Sequence, residues 1–174
     1  GQVARPLIEA YTALFPSIEI VTICVRRIQS AELLMQIMAA EKQHVRFALK
    51  ASTDPADVVP FGDIVATATT SETPVLQGSW LKAGAHVDLV GAYTISMREA
   101  DDLTLQRGAL YVDSRDTTVN HNGELVIPLA SGAIQPDGIL GDLYDLIAGR
   151  PRVIEQSRSS DQITVFKNGG GAHL

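Results

Sequence analysis

The sequence predicts an α/β fold in which a doubly wound, mostly parallel sheet carries helices on both faces. Three observations predict it. Of the 174 residues, 45% are hydrophobic, runs rich in isoleucine and valine alternate with segments of helical spacing, and no internal repeat or linker divides the chain. Alternating strands and helices are typical of a parallel sheet. We therefore expect one domain over residues 1–174.

The first predicted elements are a helix, a strand and a second helix. Residues 3–15 have apolar side chains at helical spacing, with Pro6 in the first turn and Pro16 after the end. Residues 18–25 form a continuous apolar run, which is typical of a buried strand. Ser30 is a suitable cap for the helix that follows.

The later elements continue the alternation. Strands are predicted at 45–50, 63–69, 86–92, 109–115 and 161–167, and helices at 97–107 and 138–149. Gly149 is expected to end the second of these helices. The acidic pairs Asp101 with Asp102 and Asp142 with Asp145 are interpreted as helix-surface or capping carboxylates.

Charge and composition exclude several classes of protein. Twenty acidic residues against fourteen basic ones give a net charge of −6, which argues against general affinity for nucleic acid or an anionic membrane. We see neither a long apolar span nor a secretory leader. The single cysteine, Cys24, lies in an apolar run and is predicted to be buried. These features predict a cytoplasmic protein.

The start of the chain fits part of a phosphate-binding turn. In the dinucleotide fingerprint G-x-G-x-x-G/A, a strand precedes the glycines and the backbone N–H groups at a helix N-terminus bind the pyrophosphate. Gly1 fits the second glycine, and Ala4 fits the small third position. We therefore expect a Rossmann-like fold from which the first strand is missing, so that another segment must cover the sheet there.

Two arginines stand where such a fold selects the ribose. The end of the second strand carries Arg26 and Arg27 with no acid nearby. An acidic residue there would bind the 2′-hydroxyl of NAD, whereas an arginine accommodates the 2′-phosphate of NADP. The pattern favours NADP, with NAD possible. The alternative is an ordinary solvated strand end.

The loops after the fourth and fifth strands of that fold should face the cofactor. In an open parallel sheet the ligand lies over the carboxyl ends of the strands. Thr67, Thr69, Thr70 and Ser71 supply hydroxyl and amide groups there, and Gly91 permits close approach of a nicotinamide ring. The alternative is turn chemistry, since threonine, serine and glycine commonly end strands.

Several stretches together resemble one protein family. "DIVATATTSETPVL", "WLKAGAHVDLVGAY", "MREADD", "VDSR", "GDLYDLIAGR" and "ITVFKNGGGAHL" are similar, in this order, to the ornithine cyclodeaminase and mu-crystallin family. The resemblance extends from Gly1 to Leu174. It implies an NAD(P)-binding Rossmann-like domain of an oxidoreductase.

The resemblance also implies roles for particular positions. The glycine-rich turn would hold the pyrophosphate and Arg26 would select the ribose, while further positions would line the cofactor and one would lie near the nicotinamide. The implied cofactor residues are Gly1, Gln2, Val3, Arg26, Thr67, Ala68, Thr69, Val90, Gly91 and Asn168. No catalytic residue is assigned.

One position departs from the family pattern. Ornithine cyclodeaminases carry an acid/base aspartate two residues after the fifth-strand glycine, and this chain has Tyr93 there. A phenol with a pKa of about 10 is a poor substitute near pH 7. The change resembles the branch of the family that reduces cyclic imines such as pyrroline-2-carboxylate or piperideine-2-carboxylate. Tyr93 would then border the substrate, or alternatively pack the loop.

Three functions remain open at this point. An NADP-dependent reductase of a cyclic imino acid comes first, an NAD-dependent ornithine cyclodeaminase second, and a mu-crystallin-like binder of NADPH and a small ligand third. The family's substrate-gripping residues and dimer interface precede the glycine turn, so we expect a chain truncated at both ends and a homodimer in the complete protein. Four histidines without metal-ligand spacing predict no metal site.

Overall fold

The computed structural model describes residues 3–40, 46–150 and 159–169. Within it the chain divides into two compact units, Gly1–Pro60 and Phe61–Leu174. The single-domain organisation and the missing first strand stay predictions. In the described part of the chain, the structure contains no helix with the length and apolar character needed to cross a bilayer.

The first unit contains a two-stranded parallel sheet. Strand β1 pairs with β2 so that Ile20 lies opposite Ala48 and Cys24 opposite Ser52. The strand–helix–strand order makes this pairing parallel, as the alternation predicts. The elements of the unit are α1 (Ala4–Leu14), β1 (Ile20–Cys24), α2 (Ile28–Ala40), β2 (Ala48–Ser52) and α3 (Pro55–Val58).

Three details of this unit differ from the prediction. Helix α2 begins at Ile28, so Ser30 lies in its first turn and does not cap it. Strand β2 begins three residues later than expected, at Ala48. Cys24 is exposed although the apolar run predicted a buried thiol, because alternate residues of β1 face opposite sides of the sheet and Ile23 is the buried one.

The second unit contains a five-stranded parallel sheet. Its strand order is β3-β4-β7-β5-β6, so the last strand of the chain lies between β4 and β5. With the helices that flank the sheet, this confirms the predicted α/β class. The elements are β3 (Ile64–Thr67), β4 (His86–Leu89), α4 (Asp102–Arg107), β5 (Ala109–Val112), α5 (Arg115–Thr118), α6 (Gly123–Ser131), β6 (Ile139–Gly141), α7 (Leu143–Ile147) and β7 (Thr164–Lys167).

The core of this unit lies in its middle strands. All four residues of β5 are buried, and Val87, Leu89 and Val165 on the neighbouring strands have no exposed surface. Burying one such side chain contributes about 1.5–3 kcal/mol. The buried middle strands therefore hold the starting points of the following loops in fixed positions.

The helix predicted at 97–107 begins later, at Asp102. The carboxylate of Asp101 accepts hydrogen bonds from the backbone N–H (2.9 Å) and hydroxyl (2.7 Å) of Thr104. A capping residue has extended backbone, so the helix cannot continue upstream of it. Residues 97–100 therefore form a loop, and Leu76 makes an isolated parallel bridge with Ala100.

The helix predicted at 138–149 is a strand followed by a helix. Asp142 separates β6 from α7 by forming a capping box with Asp145, which confirms this pair as capping carboxylates. Gly149, with φ of 62°, ends the segment as predicted. Helix α6 was missed, because Asn122 before Gly123 is a turn signal and Pro128 lies inside the helix.

Candidate functional site

Several predicted cofactor residues lie at one edge of the five-stranded sheet. Thr67 ends β3, Val90 and Gly91 follow β4, and Asn168 follows β7. The N–H of Val90 donates to the carbonyl of Thr67 (2.9 Å), and that of Asn168 donates to the carbonyl of Leu89 (3.1 Å). The structure thus brings residues from three strands together where parallel strands end, which is where such sheets bind ligands.

A buried carboxylate, that of Glu99, joins the loops after β3 and β4. Its Oε2 accepts hydrogen bonds from the Thr67 hydroxyl (2.8 Å), the Gly91 N–H (2.6 Å) and the Ala92 N–H (3.3 Å). Its Oε1 accepts from the Thr69 N–H (2.6 Å). Glu99 has no exposed surface. One side chain therefore sets the spacing of both loops.

The packing of the protein itself leaves no room for a side chain at Gly91. A Cβ at this position would collide with the backbone of Thr69 and with the carboxylate of Glu99. The close approach that glycine permits here is between the two loops. That Gly91 also admits a nicotinamide ring stays a prediction.

A buried lysine holds the other side of the β4 loop. Lys167 is fully buried, and its Nζ donates to the carbonyls of Leu89 (2.9 Å) and Ala92 (2.7 Å). The Nδ2 of Asn122 also donates to the Ala92 carbonyl, at 2.5 Å. The turn between these carbonyls is therefore held by side chains from β7 and from the start of α6.

Lys167 belongs to a charged cluster in the protein interior. Glu124, also without exposed surface, accepts hydrogen bonds from the N–H groups of Glu99 (2.7 Å) and Ala100 (2.9 Å). Burial raises the pKa of Glu124, and these two hydrogen bonds and the Lys167 charge oppose the rise. Burial likewise lowers the pKa of Lys167, and the Glu124 carboxylate is the strongest opposing charge.

A second carboxylate ties β5 to the segment after β7. Asp113 Oδ1 accepts from the Ser114 N–H (2.8 Å) and from the Thr118 hydroxyl, and Oδ2 accepts from the Gly169 N–H (2.8 Å). A Cβ on Gly169 would collide with Thr118. Asn168 is thereby held between two fixed neighbours at the sheet edge.

The sequence profile of the ornithine cyclodeaminase/mu-crystallin family matches residues 1–172. The chain belongs to this family. A Delta(1)-pyrroline-2-carboxylate reductase of Paracoccus denitrificans is 48% identical over 174 residues, which are the whole of this chain and 53% of that protein. The ketimine reductase mu-crystallin of Rattus norvegicus is 34% identical over 117 residues, 67% of this chain and 33% of that protein.

Solved structures of similar proteins agree with the fold. The Thermococcus litoralis Delta(1)-pyrroline-2-carboxylate reductase, in complex with NADH and L-proline, has a TM-score of 0.78 and 26% identity and covers 92% of this chain. Half of that protein is matched. The chain thus spans about half the length of the curated relatives it matches.

Of the predicted cofactor residues in the first unit, some are exposed and others are outside the described residues. Gly1 and Gln2 lie outside the described residues, and Val3 precedes α1 with an exposed side chain. Arg26 and Arg27 are exposed between the carboxyl end of β1 and the start of α2. Their guanidinium groups are therefore accessible to a ligand at that strand end.

Tyr93, two residues after Gly91, is largely exposed. About 60% of its surface is accessible in the loop after β4, so packing of that loop does not explain the residue. A substrate contact stays a prediction. Ala68 and Thr69 occupy the facing loop after β3, where Ala68 is half-buried and Thr69 exposed.

Sequence reasoning missed the buried polar residues beneath this edge. The missed residues are Glu99, Asp113, Asn122, Glu124 and Lys167. A signal existed for two of them, since Asp113 and Lys167 are charged residues directly at the ends of apolar strands. Within the described ranges, no group of three or more His, Cys, Asp or Glu side chains is arranged to hold a metal ion.

Proposed function

We propose that this chain is the cofactor-binding part of an NAD(P)H-dependent reductase of cyclic imino acids, of the pyrroline-2-carboxylate or piperideine-2-carboxylate type. One observation carries the proposal. The predicted residues after β3, β4 and β7 converge at one sheet edge, in a chain 48% identical along its whole length to a pyrroline-2-carboxylate reductase. The expected homodimer and cytoplasmic location stay predictions.

The position of these residues supports a dinucleotide site. Ala68, the exposed Thr69, Val90 and Gly91 lie at the carboxyl ends of parallel strands, where such sheets bind ligands, and Asn168 lies beside them. The N–H groups of Thr69, Val90 and Gly91 are bonded within the protein, so they shape the edge and do not bind the cofactor. The nicotinamide would supply the hydride, and the imine nitrogen must receive one proton. The protein's part is to orient the ring against the substrate and to exclude water. We expect Tyr93, which is exposed in the loop after β4, to border the substrate.

The test is product analysis with the full-length protein. We expect oxidation of NADPH that depends on an added cyclic imine, with the cyclic amino acid as product. Ammonia release from ornithine without added reductant would instead identify a cyclodeaminase. Tight NADPH binding with no turnover of any imine would identify a ligand-binding protein.

We further propose that the cofactor is NADP and that Arg26 selects it. The exposed guanidinium at the end of β1 can pair with a 2′-phosphate. Arg26→Asp should therefore lower the affinity for NADPH relative to NADH by about 10- to 100-fold, since a charge-assisted contact contributes about 1.5–3 kcal/mol. Titration of both cofactors, followed by nicotinamide fluorescence, measures the ratio.

Arg46→Asp is the matched control for this change. Arg46 is also exposed and changes the charge equally, but it precedes β2 and so lies at the amino end of the same parallel pair. It should leave the ratio of affinities unchanged. Equal ratios in the wild type and the Arg26→Asp variant would remove Arg26 from the selection of the cofactor.

A further inference from the structure

The motif "MREADD" contains a residue that the proposed function has not used. Glu99 is the glutamate of this motif, and its carboxylate spans the loops after β3 and β4. These are the two loops assigned to the cofactor. Glu99 has no exposed surface, so it acts on a ligand only through the residues it holds.

The turn at Gly91 is held from both sides. Its N–H groups at Gly91 and Ala92 donate to Glu99, while the flanking carbonyls of Leu89 and Ala92 accept from Lys167. Buried backbone groups that are satisfied by fixed side chains have little freedom to move. Glu99 thus bonds to both Gly91 and Thr69, and it acts together with the close approach of their backbones.

We infer that Glu99 is the positioning residue for hydride transfer. It fixes the distance between the Thr69 and Gly91 loops, and hence the pose of the nicotinamide that these loops would contact. This inference rests on the proposed function. We call the hydrogen bonds that Glu99 accepts from the two loops the Glu99 clamp. A misplacement of about 1 Å can slow a positioned reaction by about 100-fold, so loosening this clamp should affect hydride transfer more than cofactor binding.

Glu99→Gln separates the clamp from simple burial. The amide has one oxygen, which can accept from Thr67, Gly91 and Ala92, and its NH₂ group must then face the Thr69 N–H as donor against donor. The substitution keeps the volume and removes the link to Thr69. The expected result in the full-length protein is a kcat lower by about 10- to 100-fold with a smaller change in the Kd of NADPH.

The kinetic isotope effect gives a readout that mere instability does not move. With NADPH deuterated at the transferred position, slower hydride transfer in Glu99→Gln should raise the isotope effect on kcat. A smaller folded fraction would lower both rates equally and leave the ratio unchanged. Amide hydrogen exchange of Thr69, measured on the free protein, should also be faster in the variant.

Asp101→Asn is the matched control. Asp101 lies two residues away and its carboxylate also accepts several hydrogen bonds, from the Gly78 N–H (2.8 Å) and from Thr104, but it contacts neither loop through these bonds. All three bonds end on Oδ1, an acceptor that asparagine keeps, so the variant should change stability little and leave the isotope effect and the Thr69 exchange unchanged. An equal rise of the isotope effect in both variants would overturn the inference.

Failure of the inference and failure of the proposed function are distinguishable. If the wild type reduces imines and Glu99→Gln keeps both its kcat and its isotope effect, the inference fails and the function stands. If the wild type reduces no imine but binds NADPH, the function fails. In that case an unchanged fluorescence anisotropy of the bound nicotinamide in Glu99→Gln overturns the clamp, and a lower anisotropy supports it.

Discussion

Replacing Lys167 by methionine should lower the free energy of unfolding by about 3–5 kcal/mol, because it removes one partner of a buried charged cluster. Lys167 is fully buried, and its Nζ donates to two carbonyls, those of Leu89 and Ala92. Methionine keeps much of the volume but leaves each carbonyl with one donor instead of two, the Asn168 N–H at Leu89 and the Asn122 side chain at Ala92. It also leaves the carboxylate of Glu124 without its nearby positive charge.

The loss should depend on pH in a stated direction. Burial raises the pKa of Glu124 above its ordinary value, and the positive charge of Lys167 opposes that rise. Lys167→Met removes this charge, so it should raise the pKa of Glu124 further. A carboxyl whose folded-state pKa is raised stabilises the protein below the unfolded pKa, and this contribution is lost as pH rises through the folded pKa. The deficit of Lys167→Met should therefore be larger at about pH 8 than at about pH 5.5.

Chemical denaturation at both pH values measures the effect, with two further variants. Lys82→Met is the control, because Lys82 makes an exposed ion pair with Asp63 (2.5 Å), which contributes about 0–1 kcal/mol. The double variant Lys167→Met with Glu124→Gln should regain part of the lost free energy of unfolding. It should also remove most of the pH dependence of the deficit, because the glutamine amide does not titrate. A pH-independent deficit would show that the charge of Glu124 is not what Lys167 compensates.

Apolar patterning predicts the positions of the strands, because apolar runs favour strands, but it does not predict their burial, since Ile23 is the one buried residue of β1. It failed where side chains compete with the backbone. Asp101 and Asp142 each cap a helix and so set the residue at which that helix begins, which apolar periodicity does not detect. The placement of β7 between β4 and β5 depends on pairing over distant parts of the chain, and local spacing carries no information on it.

The candidate site likewise has a part that the sequence predicts and a part that it does not. The residues at the strand ends could be predicted, since carboxyl ends of parallel strands meet at one edge. The support beneath them could not, because the four donors to Glu99 come from Thr67 to Ala92, up to 32 residues away in the chain. Only the fold brings these groups to one carboxylate. Lys167 ends a predicted strand, and only the fold shows that its side chain is buried.

Gly91→Ala should abolish most of the proposed reductase activity and destabilise the protein by about 1–3 kcal/mol or more, because overpacking forces the backbone to move. The added Cβ would collide with the Thr69 backbone and with Glu99. Since the loops carry the proposed cofactor contacts, a shift of about 1 Å should lower kcat by about 100-fold. Denaturation and steady-state kinetics of the full-length protein measure the two losses.

Gly138→Ala is the control, since a Cβ there meets nothing within 4 Å, and its effect should stay within about 0.5 kcal/mol. A double variant, Gly91→Ala with Glu99→Asp, identifies the atoms responsible. Aspartate withdraws the carboxylate from the new Cβ but leaves the Thr69 backbone in place, so we expect no recovery of stability. Recovery would mean that the Glu99 side chain, and not the spacing of the two backbones, is what excludes a side chain at Gly91.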